Sequence, residues 1–156
     1  MKLQGEISLR GKVILCHFRD NQLLSEQRIS NTVTTMGIDQ VAGLLNGTRT
    51  GAFTRLALGT SGTTAVVGDI ALKAEITAGS LARAASTCTQ ITTDTTNDSA
   101  YLVHSWAATA SYTVKEIGIV NTATSGGRIL ARTTNFVAVG LTNGDSLTVY
   151  YKIDVD

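Results

Sequence analysis

The segment Ser146-Leu147-Thr148-Val149-Tyr150-Tyr151-Lys152-Ile153-Asp154-Val155-Asp156 alternates strictly. Leu147, Val149, Tyr151, Ile153 and Val155 fall at every second position, with polar residues or Tyr150 between them. Successive strand side chains point to opposite sides, so a period of two describes a strand with one dry and one wet face. A slip of one residue would bury Lys152 and expose the apolar row, so the register is firmly specified. Upstream lies Phe136-Val137-Ala138-Val139-Gly140-Leu141, separated by Thr142-Asn143-Gly144-Asp145. Asn-Gly readily adopts the positive φ angles of a tight reversal, so the two runs predict a β-hairpin.

The same reasoning extends along the chain. Residues 6–19 place Ile7, Leu9, Val13 and Leu15 on one parity, but Ile14, Cys16 and Phe18 make the other parity apolar too. That pattern predicts a strand covered on both faces, with Gly11 marking a bend or bulge. Asp20-Asn21-Gln22 then turns the chain into a partner strand over 23–34, so residues 1–34 read as an N-terminal arm or hairpin. A short helix is predicted at about residues 35–46, capped by a threonine and stopped by Asn46-Gly47, with Ile38, Val41, Ala42 and Leu45 as its apolar face. Strands follow at 52–59, 81–93, 99–109, 114–120 and 128–134, and Asp69 is placed to cap one or two helical turns over 69–76. Strands spaced this way predict a mainly β, single domain over 1–156: an antiparallel β-sandwich or jelly-roll-like barrel with one short helix.

At 156 residues the chain can bury a substantial core. The charged fraction of 16% is below the roughly 25% usual for soluble domains. Such a surface suits a protein packed against neighbours; it also suits a β protein that covers itself with hydroxyls, and 24 residues are Thr. The net charge of +1 supplies no long-range field for nucleic acid or an anionic membrane, and neither is expected as a partner. No window approaches a membrane span, and Met1 to Glu6 lacks the apolar core of a signal peptide. Cys16 and Cys88 are expected to be free, mostly buried thiols. Proline is absent, so turns fall to Gly, Asn, Asp and Ser.

Catalytic chemistry is sparse. His17 and His104 read as half-buried strand histidines, and Cys16-His17 point to opposite faces, which disfavours a shared metal. Asp94-Thr95-Thr96-Asn97-Asp98 lacks the full spacing of a calcium loop and reads as an Asx-rich turn. Thr60-Ser61-Gly62-Thr63-Thr64 lacks the Gly-Lys-Ser/Thr ending of a phosphate loop and reads as a structural turn. Glu116 is either a buried, paired carboxylate or half of a solvent-facing pair. Trp106, Tyr101, Tyr112, Tyr150 and Tyr151 are read as core and interface packing, with a sugar-stacking platform as the alternative.

The order of motifs carries a resemblance. Asn31-Thr32-Val33, Val41-Ala42-Gly43-Leu44-Leu45-Asn46-Gly47, Leu56 to Thr64 and Asp69-Ile70-Ala71-Leu72 are followed by Val114 to Asn121, Gly127 to Arg132 and Asn143 to Val149. Over residues 30–156 the series resembles a family of small tailed-bacteriophage virion proteins, departing from it at Ala65-Val66-Val67, where prolines are common. The resemblance implies a non-enzymatic β-rich particle component, assembled in the host cytoplasm, with no cofactor and no catalytic residues. It is similar to capsid decoration (cement) proteins, which implies a homo-oligomer, a trimer, bound to the major capsid protein or another virion protein. The alternative is a tail-tip or tail-fibre component that binds a host-surface glycan. Partner contacts are expected from Met1, Lys2, Leu3 and Gln4 as an arm, and from Trp106 and Tyr150.

Overall fold

The computed structural model describes residue 5 and residues 7–156. In chain order the elements are β1 (Leu9–Arg19), β2 (Gln22–Ser30), β3 (Thr32–Val33), α1 (Thr35–Leu45), β4 (Arg55–Gly59), β5 (Ala84–Ala85), β6 (Thr87–Ile91), β7 (Ser99–Ala107), β8 (Tyr112–Val114), β9 (Glu116–Val120), β10 (Ile129–Thr133), β11 (Val139–Leu141) and β12 (Ser146–Val155). They form an antiparallel β-sandwich with one helix, as the strand pattern predicts. The first sheet has the order β2-β1-β12-β7-β6 and the second β3-β10-β9-β4-β5, while β8 and β11 pair separately.

The alternating row of β12 builds the core. Leu147, Val149, Tyr151 and Ile153 are all buried, and on the neighbouring strands Val13, Leu15, Leu102 and Trp106 join them. Leu56, Leu58, Ile117, Ile119 and Ala131 of the second sheet fill the other half of one apolar cluster. Each fully buried aliphatic side chain of this kind contributes about 2 kcal/mol relative to exposure.

Two single-chain crossings tie the sheets together at their edges. Asn31 carries the chain from β2 to β3, and Ser86 carries it from β5 to β6, splitting the continuous strand expected over 81–93. Gly11 belongs to the first crossing. Its pairing with Ile153 runs on without the bulge that was one of the two expectations there, and the irregularity lies between His17 and Phe18. The glycine makes room, since a Cβ there would fall 1.8 Å from the Asn31 side chain. Asn31 Nδ2 in turn donates to the buried Tyr151 hydroxyl at 2.9 Å, which also meets Thr133 Oγ1.

The hairpin expected at the C-terminal end does not form. The reversal is tight, with Asp145 N–H donating to Thr142 O and Gly144 at φ +93°, but Asn143 keeps a negative φ. The two-residue turns whose twist matches a hairpin, types I′ and II′, both need positive φ at the first central residue, here Asn143; without it the strands splay. β11 therefore pairs with β8, and β12 lies between β1 and β7. At the far end of β12, Ser8 and Asp156 exchange two backbone hydrogen bonds of 2.7 and 3.0 Å.

The second sheet is covered on its outer side as well, by α1 and by the segment 60–76. Thr34 caps the helix by accepting from Gly37 N–H at 2.9 Å, and its hydroxyl donates to Ile129 O. The face α1 buries is Gly37, Gln40 and Gly43; Ile38, Ala42 and Leu45, expected to face the core, are exposed. Residues 69–76 form no helix. Their amide N–H groups go elsewhere, those of Lys73 and Ala74 to the Glu116 carboxylate and that of Ile76 to Leu58 O.

Gly37 lies against the backbone of Leu130, where an added Cβ would sit 2.5 Å from the carbonyl oxygen. Alanine gains up to about 1 kcal/mol of helix propensity, but backbone cannot yield as a flexible side chain can. Gly37→Ala is expected to destabilise the fold by about 2 kcal/mol net in urea denaturation.

Candidate functional site

The outward face of the first sheet carries a surface groove, and its lining follows from strand register. One cross-strand row runs Arg28, Ile14, Tyr150, Val103, Thr87; the next runs Ser30, Lys12, Lys152, Tyr101, Thr89. Between β2, β1 and β12 these side chains enclose a groove of about 510 Å³ lined by Lys12, Ile14, Arg28, Ser30, Tyr150 and Lys152. Tyr101 stacks on Tyr150 with ring centroids 6.4 Å apart and planes at 25°. The groove thus joins an aromatic floor to three cations, of which Arg28 is paired with Glu26 and Lys152 with Asp154. Cys16 is buried on the same face, where burial and then the charge of Glu26 push its thiol pKa up.

Of the expected contact residues, Tyr150 lies in this groove. Trp106 does not: it is 3% exposed, points into the core, donates from Nε1 to Ala82 O at 3.0 Å and meets the His104 ring edge-on. The core needed a large aromatic on β7, and the indole N–H found a carbonyl there. Met1, Lys2, Leu3 and Gln4 lie outside the described residues. Cys88, expected to be buried, is exposed on edge strand β6.

The buried charges form clusters, each pinning a loop. Arg132 is wholly buried and is held by two carboxylates on the outer side of the second sheet: Nε donates to Glu116 Oε2 at 2.8 Å and Nη1 to Asp69 Oδ2 at 2.9 Å. Nη2 reaches Thr63 O, and Lys73 Nζ closes the set on Asp69 Oδ1 at 2.8 Å. Two cations thus balance two carboxylates, and Glu116 is the buried, paired residue of the two alternatives. Asp69 and Arg132 had no such sign in local spacing; the one available signal was a charge directly following the apolar run Ile129-Leu130-Ala131. Arg83 grips Glu75 with two bonds of 2.7 Å and reaches Thr122, fixing the 122–126 loop.

The third cluster joins the end of β1 to the 142–145 turn. Asp145 accepts from His17 Nε2 at 3.0 Å, from Arg19 Nε and Nη2 at 2.7 and 2.8 Å, and from Thr142 N–H at 2.8 Å. In a nucleophile-activating His–Asp pair the imidazole is in turn placed on a hydroxyl, thiol or water; Thr142 Oγ1, beside this pair, bonds the carboxylate. The Arg19 hydrogen bond and then the Thr142 amide hold Asp145 well below the usual carboxylate range, against the opposing effect of burial. Asp98 takes three backbone amides, of Thr93, Asp94 and Thr95, in the Asx-rich turn, and is likewise lowered, chiefly by the Thr95 and Asp94 amides. His104 is half-buried, with its pKa lowered by desolvation.

Among the described residues no group of three or more His, Cys, Asp or Glu is placed to hold a metal ion, and no helix is long and apolar enough to cross a membrane. Comparison with known proteins finds no matching family model, curated protein or solved structure.

Arg132→Met leaves Asp69 and Glu116 with their main counter-charge removed, and is expected to cost about 3–5 kcal/mol in chemical denaturation. A carboxylate lowered in the folded state stabilises above the ordinary carboxylate pKa and loses that contribution as pH falls toward the lowered one. The urea midpoint is therefore expected to drop below about pH 4, and Asp145→Asn to lower it at pH 7 while flattening its acid-side decline.

Proposed function

We propose that this chain is a non-enzymatic structural protein of a tailed-bacteriophage particle, and within it a capsid decoration protein. It self-associates, as a trimer, and binds the outer capsid surface, stabilising the shell by burying area across many copies. The observation that carries the reading is how the chemistry is divided. The carboxylates of Asp69, Glu116, Asp145 and Asp154 are taken up by partners within the chain, while the outward face of the first sheet offers a broad pleated surface of Thr, Ser, Ile and Tyr side chains with the cations Lys12, Arg28 and Lys152 among them. The order of motifs over residues 30–156 agrees with it.

The Tyr101–Tyr150 stack beside a polar groove favours a second reading, a tail-tip or fibre component that holds a host-surface glycan against the rings. The two separate in one set of experiments. Added to capsid shells assembled without it, the protein is expected to co-sediment to saturation and to raise their melting temperature. Absence of binding, together with a glycan-array signal abolished by Tyr150→Ala, replaces decoration with the second reading; turnover of a small molecule overturns both.

A further inference from the structure

Two asparagines of the chain precede glycine, Asn46 before Gly47 and Asn143 before Gly144. Glycine has no Cβ to shield its nitrogen and a backbone free to turn, so an Asn-Gly bond can close on itself, the glycine nitrogen attacking the side-chain carbonyl of the asparagine. The two sites share more than sequence. Both asparagines are exposed, both glycines have positive φ, +74° at Gly47 and +93° at Gly144, and a Cβ added to either would meet open space. They differ in what the fold does with the backbone. The Gly144 N–H donates to Ala108 O at 2.9 Å, and beside it Asp145 N–H donates to Thr142 O at 3.0 Å while the Asp145 carboxylate holds His17 and Arg19. At Gly47 the chain has left α1, and the bond that closes the helix end, from Arg49 N–H to Gly43 O at 3.1 Å, passes around it. Thr48 N–H and Thr48 Oγ1 both donate to Asn46 Oδ1, at 3.0 and 2.6 Å.

We propose that Asn46 is a site of spontaneous modification, converted to aspartate and isoaspartate in the folded chain, while Asn143 is protected. The Gly47 nitrogen gives its proton to solvent and bonds to Asn46 Cγ, and the side-chain amide departs as ammonia, leaving a cyclic imide. Water then opens either C–N bond of the ring, giving aspartate or the isomer whose main chain runs through the side-chain carbonyl. The two donors of Thr48 on the Asn46 carbonyl oxygen draw charge from its carbon and stabilise the oxyanion that attack creates. Closing the ring rotates Asn46 about ψ, and the exposed residues 46–48 can follow. The same rotation at Asn143 takes the Gly144 N–H off Ala108 and drags Asp145 from His17 and Arg19. The product is a carboxylate at the C-terminal end of α1, where the helix dipole disfavours it, and it takes the formal net charge from +1 to zero. A chain without net charge associates more readily. Conversion therefore shifts an aged population toward self-association.

Incubation of the folded chain at physiological temperature in mildly alkaline buffer, followed by isoelectric focusing and a peptide mass map, tests this. An acidic species is expected to accumulate with its change at Asn46, at a rate roughly tenfold or more above that at Asn143, where hydrogen bonds of the turn must break first. In urea, where neither turn is formed, the two sites are expected to react at similar rates. Asn46→Gln keeps an exposed amide, and its longer side chain closes the ring far more slowly, so the acidic species is expected to vanish. An Asn46 that stays intact in the folded chain, an Asn143 that reacts as fast, or a gap between the sites that persists in urea overturns the proposal.

Discussion

Arg132 is the constraint around which the second sheet is arranged. Its guanidinium has no exposure, so its charge must be met inside the chain, and the geometry meets it with Glu116 on the neighbouring strand and Asp69 on the covering segment. Removing two or more ions from water is expensive, and only close pairing with further hydrogen bonds recovers that cost. The carbonyl of Thr63 and the ammonium of Lys73 supply those further partners. One side chain thus joins β10, β9 and the segment 60–76, and makes the outer layer of the second sheet part of the folded unit. Leu72, packed with Ala57, Val120 and Ile129 under the same segment, adds the apolar half of that attachment.

The two sheets differ as a consequence. β9 and β10 are buried at every residue and read as runs such as Ile117-Gly118-Ile119-Val120, without alternation. The first sheet keeps a dry inner face and an outer face with half-buried apolar side chains between polar ones, so the alternation of β12 survives. The crossings at Asn31 and Ser86 bind these unlike layers at both margins, which leaves the outward face of the first sheet and Ile38 and Leu45 of α1 towards solvent.

Period and turn chemistry made the strands legible wherever a side chain's partner lay on its own or the adjoining strand. The β1–β2 hairpin, the row of Leu147 to Ile153, the Thr34 cap and the Asx-rich turn at Asp98 all belong to that class. What failed depended on distant groups. The direction of α1 could not be read from its apolar stripe, because the docking face was chosen by close approach to Leu130, which only a glycine permits. The 69–76 segment lost its helix because Glu116, more than forty residues away, claims its amides. Tyr150 was legible as outward from parity alone, whereas Trp106 shares the inward parity of Leu102, and its place in the core depended on the pairing of β7 with β12.

The reciprocal bonds between Ser8 and Asp156 place the two ends of the described fold side by side, at one margin of the first sheet. Any tag, tether or additional segment attached ahead of β1 and any attached beyond β12 leave the body at the same point and on the same side. Cargo fused at either end is displayed from one pole of the molecule, away from the turn at Asp145 where the opposite ends of β1 and β12 meet.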